Sequence, residues 1–511
     1  MHYADWIVLA LYVVVIVAIG GWANRLQTGT EAYFLGNRNM RWWAAGLSII
    51  ATSFSAASIL GIPGYAYADD MWYLQYQLGD IFGAAIVIVL FIPFFHKVRG
   101  LTTAYEYLEA RFDLKTRLLG STLFSLTVLL RAGTLLFGAA LLFSAVAPTN
   151  LIPGLDRIEE AVVIFGLITI IYTVMGGISA VIWTDVVQFA IMSFGIVASM
   201  AVVVLGTPGG WGTAFAEAGQ FGKLDVIHTG EPVAGTGLLT AIFGYGLLAL
   251  SLFGTNQQPV QRYMTVKNPR EAQGALLLGV GAGAIGVLLS LLLGVFLYIF
   301  YQHHPGLLPD GLTSDQIMPH FVSTEVPPVL TGALVAAVFA AAMSSLDSAL
   351  NSLAAALTTD FLKRFKPETR DRQQLAFAKF VVVVAGVLGI GIGIYSARTE
   401  APLIDLILTF MGYFAGGLLG LFLLGMLTKR ANGHGVFTGA IVGTLVVLMV
   451  TENDFPLPRL YDWFGFGPIP FIWSTAVGLV VTLVVGYLIS LFGRRIPSER
   501  LADTTVGWTR A

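Results

Sequence analysis

The sequence predicts an all-α polytopic membrane protein, and three observations carry that prediction. Of the 511 residues, 56% are apolar and only 11% are Asp, Glu, Lys or Arg, against roughly 25% charged residues in a soluble globular domain. Apolar stretches long enough to span a bilayer, which takes about 20 residues, recur along the whole chain. The charges fall between those stretches. The composition excludes a soluble enzyme, and the absence of cysteine removes disulfides, thiolate metal centres, iron–sulfur clusters and cysteine nucleophiles together.

Thirteen transmembrane helices are expected, at about 5 to 23, 43 to 64, 73 to 95, 119 to 147, 159 to 175, 180 to 206, 236 to 254, 273 to 301, 328 to 360, 375 to 397, 402 to 427, 435 to 451 and 471 to 493. The first has no Lys or Arg ahead of it and no small-residue cleavage site after it, so it reads as a retained helix and not a signal peptide. No soluble domain or low-complexity tract interrupts the series, and 1–511 reads as a single membrane domain. The outer loops at about 207 to 235, 302 to 327 and 452 to 470 are rich in Gly, Pro and aromatics, which suits either packing over helix ends or gating.

Twenty-three of the 28 Lys and Arg residues fall in loops on one side, among them Arg25, Arg38, Lys97, Arg99, Arg111, Arg117, Arg262, Lys363, Arg364, Lys429, Arg495 and Arg510. Arg157, Lys223, Arg398 and Arg459 fall on the other. The positive-inside rule then places the amino terminus outside and the carboxyl terminus in the cytoplasm, as an odd number of spans requires. Arg131 is left inside a span.

A polar group in the bilayer is costly, so polarity inside a span marks function. In the second span, Ala51-Thr-Ser-Phe-Ser-Ala-Ala-Ser58 follows Gly46 and precedes Pro63 and Gly64. Small residues of this kind serve close helix packing, or form an unwound stretch whose carbonyls bind a cation and whose amides face a solute. In the ninth, Ala341, Ser344, Ser345, Ser348 and Ser352 recur at helical spacing with Asp347 and Asn351 on the flank. Such a face lines either a helix contact or a watery path, and a carboxylate among hydroxyls, the oxygen ligand set a hard cation prefers, favours the ion path. A short inner turn, Gly176-Gly177, sends Asp185 into the sixth span, where a helix cap would also explain it. Gln77 and Asp80 share a face of the third span, and Arg131 lies near the middle of the fourth. Arg131 either pairs with Asp80 as a structural ion pair or reads a substrate anion.

Four segments together carry a resemblance. Gly176-Gly177 with Trp183-Thr-Asp185, Ala104-Tyr-Glu-Tyr-Leu-Glu-Ala-Arg-Phe112, Asn256-Gln-Gln-Pro-Val-Gln-Arg-Tyr263 and Ser344-Ser-Leu-Asp-Ser-Ala-Leu-Asn351 resemble the sodium/solute symporter family from about Asp5 to Arg430. The resemblance is nearest to the bacterial sialic acid symporters, with the sugar, iodide and multivitamin branches further off. It implies a LeuT-like core of two inverted five-helix repeats, about 43–206 and 236–427, each opened by a broken helix. The extra helix at 5–23 precedes them and the helices at 435–493 follow.

Residue by residue, the resemblance implies a core sodium site from the carbonyls of Ala51, Phe54 and Ala341 and the hydroxyls of Ser344 and Ser345. A second sodium or proton site matches Asp185, Ser344, Asp347 and Ser348, where the sialic acid branch has serine in place of Asp347. Substrate positions match Ser53, Ser55, Ser58, Tyr73, Gln77 and Arg131, with a broken seventh helix around Gly244 to Gly254 closing the pocket. Threonines stand in the sialic acid branch where this chain has Ser53 and Ser58.

The function expected is sodium-coupled import of a small polar solute, carboxylated or a sugar, by alternating access in the cell (inner) membrane. One or two Na+ ions are the only cofactor expected, and the partners are solute, sodium and lipid, with no nucleic acid. A proton-coupled or uncoupled transporter of the same fold is the competing expectation. A channel would need a continuous polar pore or filter ring. An intramembrane enzyme would need a nucleophile with a base, and the seven histidines lie at loops or span ends.

Overall fold

The computed structural model describes residues 2–24, 29–98, 100–146, 152–230, 235–399, 403–451, 457–465, 467–494, 496–502 and 504–506, and among these every regular element is a helix. The principal helices are α1 Tyr3–Asn24, α2 Trp42–Ser53, α3 Ala56–Ala68, α4 Trp72–Lys97, α5 Leu114–Val146, α6 Arg157–Met175, α7 Ile178–Gly206, α8 Thr240–Thr255 and α9 Gln257–Thr265. They continue as α10 Pro269–His303, α11 Leu330–Phe365, α12 Asp371–Ala397, α13 Leu403–Leu427, α14 Gly433–Val450 and α15 Phe471–Phe492.

Among the described residues ten helices are long and apolar enough to cross a membrane, and the bent pair of α2 and α3 makes an eleventh. The other two expected spans are also helical. One is α6, whose 19 residues open on Arg157, Glu159 and Glu160, and the other is the shorter α8. Length and apolarity alone therefore return fewer than thirteen spans. Arg25, Arg99, Arg495 and Arg510, the expected span ends at 147 and 402, and parts of the outer loops at 231–234, 452–456 and 466 lie outside the described residues. Large apolar side chains such as Ile171, Phe194, Leu277, Phe380, Val387 and Leu488 stand exposed on the outer helix faces, a surface that lipid covers and water would not tolerate.

The polar stripe read from the sequence is at the centre of the bundle. In its most apolar stretch α11 is 94% buried, against 39% for α7 and 33% for α12, and it packs against α1, α2, α5, α7, α9 and α12. Its run of Ala and Ser lets so many neighbours approach closely. The helix start is held from outside: Asp5 of α1 accepts the backbone N–H groups of Val329 at 2.7 Å and Gly332 at 3.0 Å, which otherwise have no intrahelical acceptor. Val329 has φ +73°, a conformation β-branched residues seldom adopt. Further along α1, the Tyr12 hydroxyl lies 3.5 Å from the Met343 sulfur and accepts a hydrogen bond from the Gln188 amide at 3.1 Å.

Helices α4 and α8 cross on Gly79 and Gly83, one turn apart. A Cβ on Gly83 would come 2.6 Å from the backbone nitrogen of Leu250, and one on Gly79 would collide with the Ala241 carbonyl. The break expected around Gly244 to Gly254 is not there. Helix α8 runs through that window, opening on a wide π-type turn at Thr240–Tyr245, and the chain breaks at Asn256 with φ −77° and ψ 131°. The reason is local: the Asn256 side chain accepts the Gln258 N–H at 2.9 Å and so caps α9.

Three arginines that the sequence assigns to loops are buried. Arg111 donates to the carbonyls of Gly425 and Thr428 at 2.9 and 2.6 Å, closing the end of α13 where carbonyls lack helical partners. Arg117 bonds Asp360 and Glu109 at 2.8 Å each and the Thr359 carbonyl at 3.0 Å, and Asp360 also accepts from Thr103 at 2.7 Å and Ser121 at 2.9 Å. The segment from Ala104 to Phe112 is thus a packed wedge and not a solvated loop. Burial raises the Glu109 carboxyl, but the Arg117 and Arg364 guanidiniums outweigh it and hold the group below its ordinary value. The third arginine, Arg262, lies within the polar core described next.

Candidate functional site

Between α2 and α3 the backbone leaves the helix at Phe54 (φ −83°, ψ 95°) and Ser55 (φ −102°, ψ −178°), and the two halves meet at 58°. No proline sits at the turn. Ser58 starts the second half, its side chain accepting the Ser55 N–H at 3.2 Å, while the Thr52 hydroxyl stays with the first half on the Ser48 carbonyl at 2.8 Å. The break frees the last carbonyls of α2 from intrahelical bonding. The buried hydroxyls of α11 meet them: Ser344 donates to the Ala51 carbonyl at 2.8 Å and lies 3.1 Å from the Ala341 carbonyl, while Ser345 donates to the Thr52 carbonyl at 2.9 Å. One proton on Ser344 cannot serve two acceptors fully, so three oxygens converge there with lone pairs to spare. Four of the five expected core-site residues take part in these contacts, and the fifth, Phe54, is the break residue itself.

The expected second site is two clusters joined by Ser348. Asp185 accepts from Ser48 at 2.5 Å and from Arg262 at 3.0 Å. Asp347 accepts from Tyr172 at 2.9 Å and from Ser348 at 3.4 Å. Arg262 corrects the sequence reading most sharply. Expected in a cytoplasmic loop, it is 1% exposed and donates to Ser48 at 2.6 Å, Thr52 at 2.7 Å, Ser348 at 2.6 Å and the Gln258 carbonyl at 2.8 Å. A guanidinium is tolerated there because oxygens surround it and Asp185 supplies a counter-charge.

All six expected substrate residues, Ser53, Ser55, Ser58, Tyr73, Gln77 and Arg131, line one cavity of about 120 Å³ beside the break. The cavity also takes in Asp80, Tyr245 of α8, and Ile404 and Met411 of α13. Arg131 donates to Gln258 at 3.2 Å and to the Thr52 carbonyl at 3.1 Å, and its Nε is buried without a partner. The Asp80 carboxyl is approached by Tyr245 and Gln77 instead. Among the described residues no ion pair joins Asp80 to Arg131, so the structural pair that the sequence allowed is not formed. The cavity therefore presents a cation and a carboxylate separately, between hydroxyls and an apolar wall.

Arg262, Tyr245, Thr52 and Tyr172 are the participants the sequence reading missed. The signal for Arg262 was present in Asn256-Gln-Gln-Pro-Val-Gln-Arg-Tyr263, one of the four segments carrying the family resemblance, to which the sequence reading gave no role.

The profile of the sodium:solute symporter family matches residues 33–443. A sodium/sialic acid symporter of Aliivibrio fischeri is 30% identical over 98% of this chain and 95% of its own. One of Proteus mirabilis is 32% identical over 87% and 89%. The solved substrate-bound, outward-open state of a Na+-coupled sialic acid symporter superposes with a TM-score of 0.84 at 30% identity, covering 97% of this chain and 99% of that one.

Proposed function

Because the chain belongs to the sodium:solute symporter family, we propose that it imports a small carboxylated solute together with sodium, the solute held by Arg131 and the ion at the α2–α3 break. The protein is a sodium-coupled symporter of the membrane and not an enzyme. Core sodium ligands in this reading are the carbonyls of Ala51, Phe54 and Ala341 with the hydroxyls of Ser344 and Ser345. A second cation, sodium or proton, belongs to the Asp185, Ser344, Asp347 and Ser348 group.

The observation that carries the reading is the meeting of the Ser344 hydroxyl with the freed Ala51 carbonyl, one layer away from the cavity that Arg131 lines. Oxygen ligands from an unwound helix suit Na+, and a guanidinium with a free edge suits a carboxylate held by two parallel hydrogen bonds. The reading further takes thirteen spans in two inverted five-helix repeats, 43–206 and 236–427, an outside amino terminus, a cytoplasmic carboxyl terminus and a place in the cell (inner) membrane. Sodium binding between the two repeats favours the outward-open state, solute follows, and rocking of the repeats releases both inside. Each sodium crossing 100 mV supplies roughly 2.3 kcal/mol before its concentration gradient is counted.

Uptake by proteoliposomes across a panel of carboxylates, neutral sugars and amino acids, with sodium or potassium outside, tests the reading. Accumulation of a carboxylated solute only under an inward sodium gradient is expected. Equal uptake in potassium would overturn sodium coupling. Preference for a neutral sugar would overturn the assignment of Arg131.

A further inference from the structure

Arg131 and Asp80 line one cavity without pairing with each other. Among the described residues Asp80 has no cation beside it; its carboxyl is met by Tyr245 and Gln77, whereas a carboxylate can accept about four hydrogen bonds. Arg131 keeps a buried Nε without a partner. Tyr245 of α8 is near enough to both residues to feel each charge, so the two poles share one small space. Each is a buried charge without a counter-charge, which is costly, and the occupant of the cavity is the remaining source of a minus for one and a plus for the other. The rest of the wall is hydrocarbon, with Val287 of α10 and Ile404, Leu408 and Met411 of α13. A cavity of about 150 Å³ holds benzene. This one measures about 120 Å³, room for a short aliphatic body and not for the ring and hydroxyls of a sugar acid.

We propose that the solute is a small zwitterion, an aliphatic amino acid in chemical class, whose carboxylate lies on Arg131 and whose ammonium lies on Asp80. This narrows the carboxylated-solute reading and rests on it. An acid without an ammonium satisfies Arg131 but brings its charge up to an uncompensated carboxylate, and an amine without a carboxylate meets the converse problem at Arg131. Only a solute with both groups leaves no charge in the cavity unpaired. The ammonium N–H groups suit the lone pairs of Asp80 that Tyr245 and Gln77 leave open. Asp80 is thus the specificity residue that separates amino acids from plain carboxylic acids of the same shape.

Isothermal titration calorimetry on the purified protein in detergent, with sodium saturating, reads this with matched probes. Aliphatic amino acids from alanine to leucine are compared with the acids that lack only the ammonium, such as propionate for alanine and isovalerate for valine, and with the amines that lack only the carboxylate. Glucuronate and glucose complete the panel. The parent should bind at least one amino acid about 10- to 100-fold more tightly than its deaminated acid, the range for a hydrogen bond to a charged group. Asp80→Asn, which keeps the volume and removes the charge, should erase that preference by weakening the amino acid and favouring the acid. Arg131→Lys should weaken both. The ratio in the parent needs no variant, so it decides the matter even where Asp80→Asn fails to fold. Deaminated acids or glucuronate bound as tightly as any amino acid overturn the proposal and leave the Arg131 reading standing, as does an undiminished preference in folded Asp80→Asn. A parent that binds no amino acid overturns it too. Glucose bound in preference to every carboxylate overturns the Arg131 reading and this proposal with it.

Discussion

The Ser344 hydroxyl lies 2.8 Å from the Ala51 carbonyl, a contact that bridges the most buried helix of the bundle and the end of a helix that stops mid-membrane. The two residues are 293 positions apart. Neither group would need the other in regular helices, since the carbonyl would be taken by the N–H four residues on. The break creates the acceptor, and the central helix supplies an oxygen that can turn its lone pairs to an ion.

Removing that oxygen should weaken sodium use without unfolding the protein. Ser344→Ala and Ser345→Ala each delete one ligand and almost no volume, so the sodium concentration for half-maximal uptake should rise about 3- to 10-fold, matching roughly 0.5–1.5 kcal/mol per lost interaction. Sodium activation curves for both variants, with thermal midpoints as a folding control, check this. Parent-like activation in both would remove the site assignment.

Arg131 should behave as a substrate residue. Its guanidinium has no carboxylate partner in an ion pair among the described residues, so Arg131→Ala leaves no buried carboxylate stranded and should keep a thermal midpoint near the parent's. Solute affinity should fall by about 1.5–3 kcal/mol in Arg131→Ala, the range for hydrogen bonds to charged groups. Arg131→Lys should lose affinity too, because an ammonium cannot reproduce the fork. Normal solute affinity in folded Arg131→Ala would defeat the anion role.

Asp347 is the carboxylate left over once Arg262 is assigned to Asp185. It faces Tyr12 of α1, Tyr172 of α6, Asp185 of α7 and Arg262 of α9, and its strongest hydrogen bond comes from Tyr172 at 2.9 Å. If the partner is a proton, Asp347→Ser should flatten the pH dependence of uptake without changing the number of sodium ions bound. A variant that keeps the parent's pH profile and loses a sodium ion would assign the residue to sodium instead.

The α4–α8 crossing has no room for a methyl group. Gly83→Ala would place a carbon 2.6 Å from a backbone nitrogen, and overpacking of this kind costs about 1–3 kcal/mol. A lowered thermal midpoint is expected, together with weaker solute binding, because Tyr245 of α8 lines the cavity. Gly281, which has open space around its α-carbon, is the control: Gly281→Ala should leave both measurements unchanged.

What could be read in the sequence was what the bilayer makes conspicuous. Ser53, Ser55, Ser58, Gln77 and Arg131 stand out because polar atoms in apolar spans are expensive, and all five line the cavity. The stripe from Ala341 to Ser352 stood out for the same reason. Arg262 did not, because α9 is a polar nine-residue helix with the composition of a loop, and only tertiary partners from three other helices make its burial tolerable. The same holds for Arg117 and Asp360, 243 positions apart. The second break, placed around Gly244 to Gly254 by the family resemblance alone, falls instead at Asn256, where one capping asparagine redirects the backbone.

The carboxylate of Asp5 has a consequence for how the amino-terminal helix should be regarded. By bonding Val329 and Gly332 it clamps the one β-branched residue held at positive φ among the described residues, directly before the helix that carries Ser344. Backbone in such a region stores on the order of 1–3 kcal/mol, and the clamp keeps it stored. The extra helix is therefore a brace that holds the start of α11 from its far end. An affinity tag or fluorophore attached near residue 2 thus loads the clamp at the start of α11, the helix that carries Ser344.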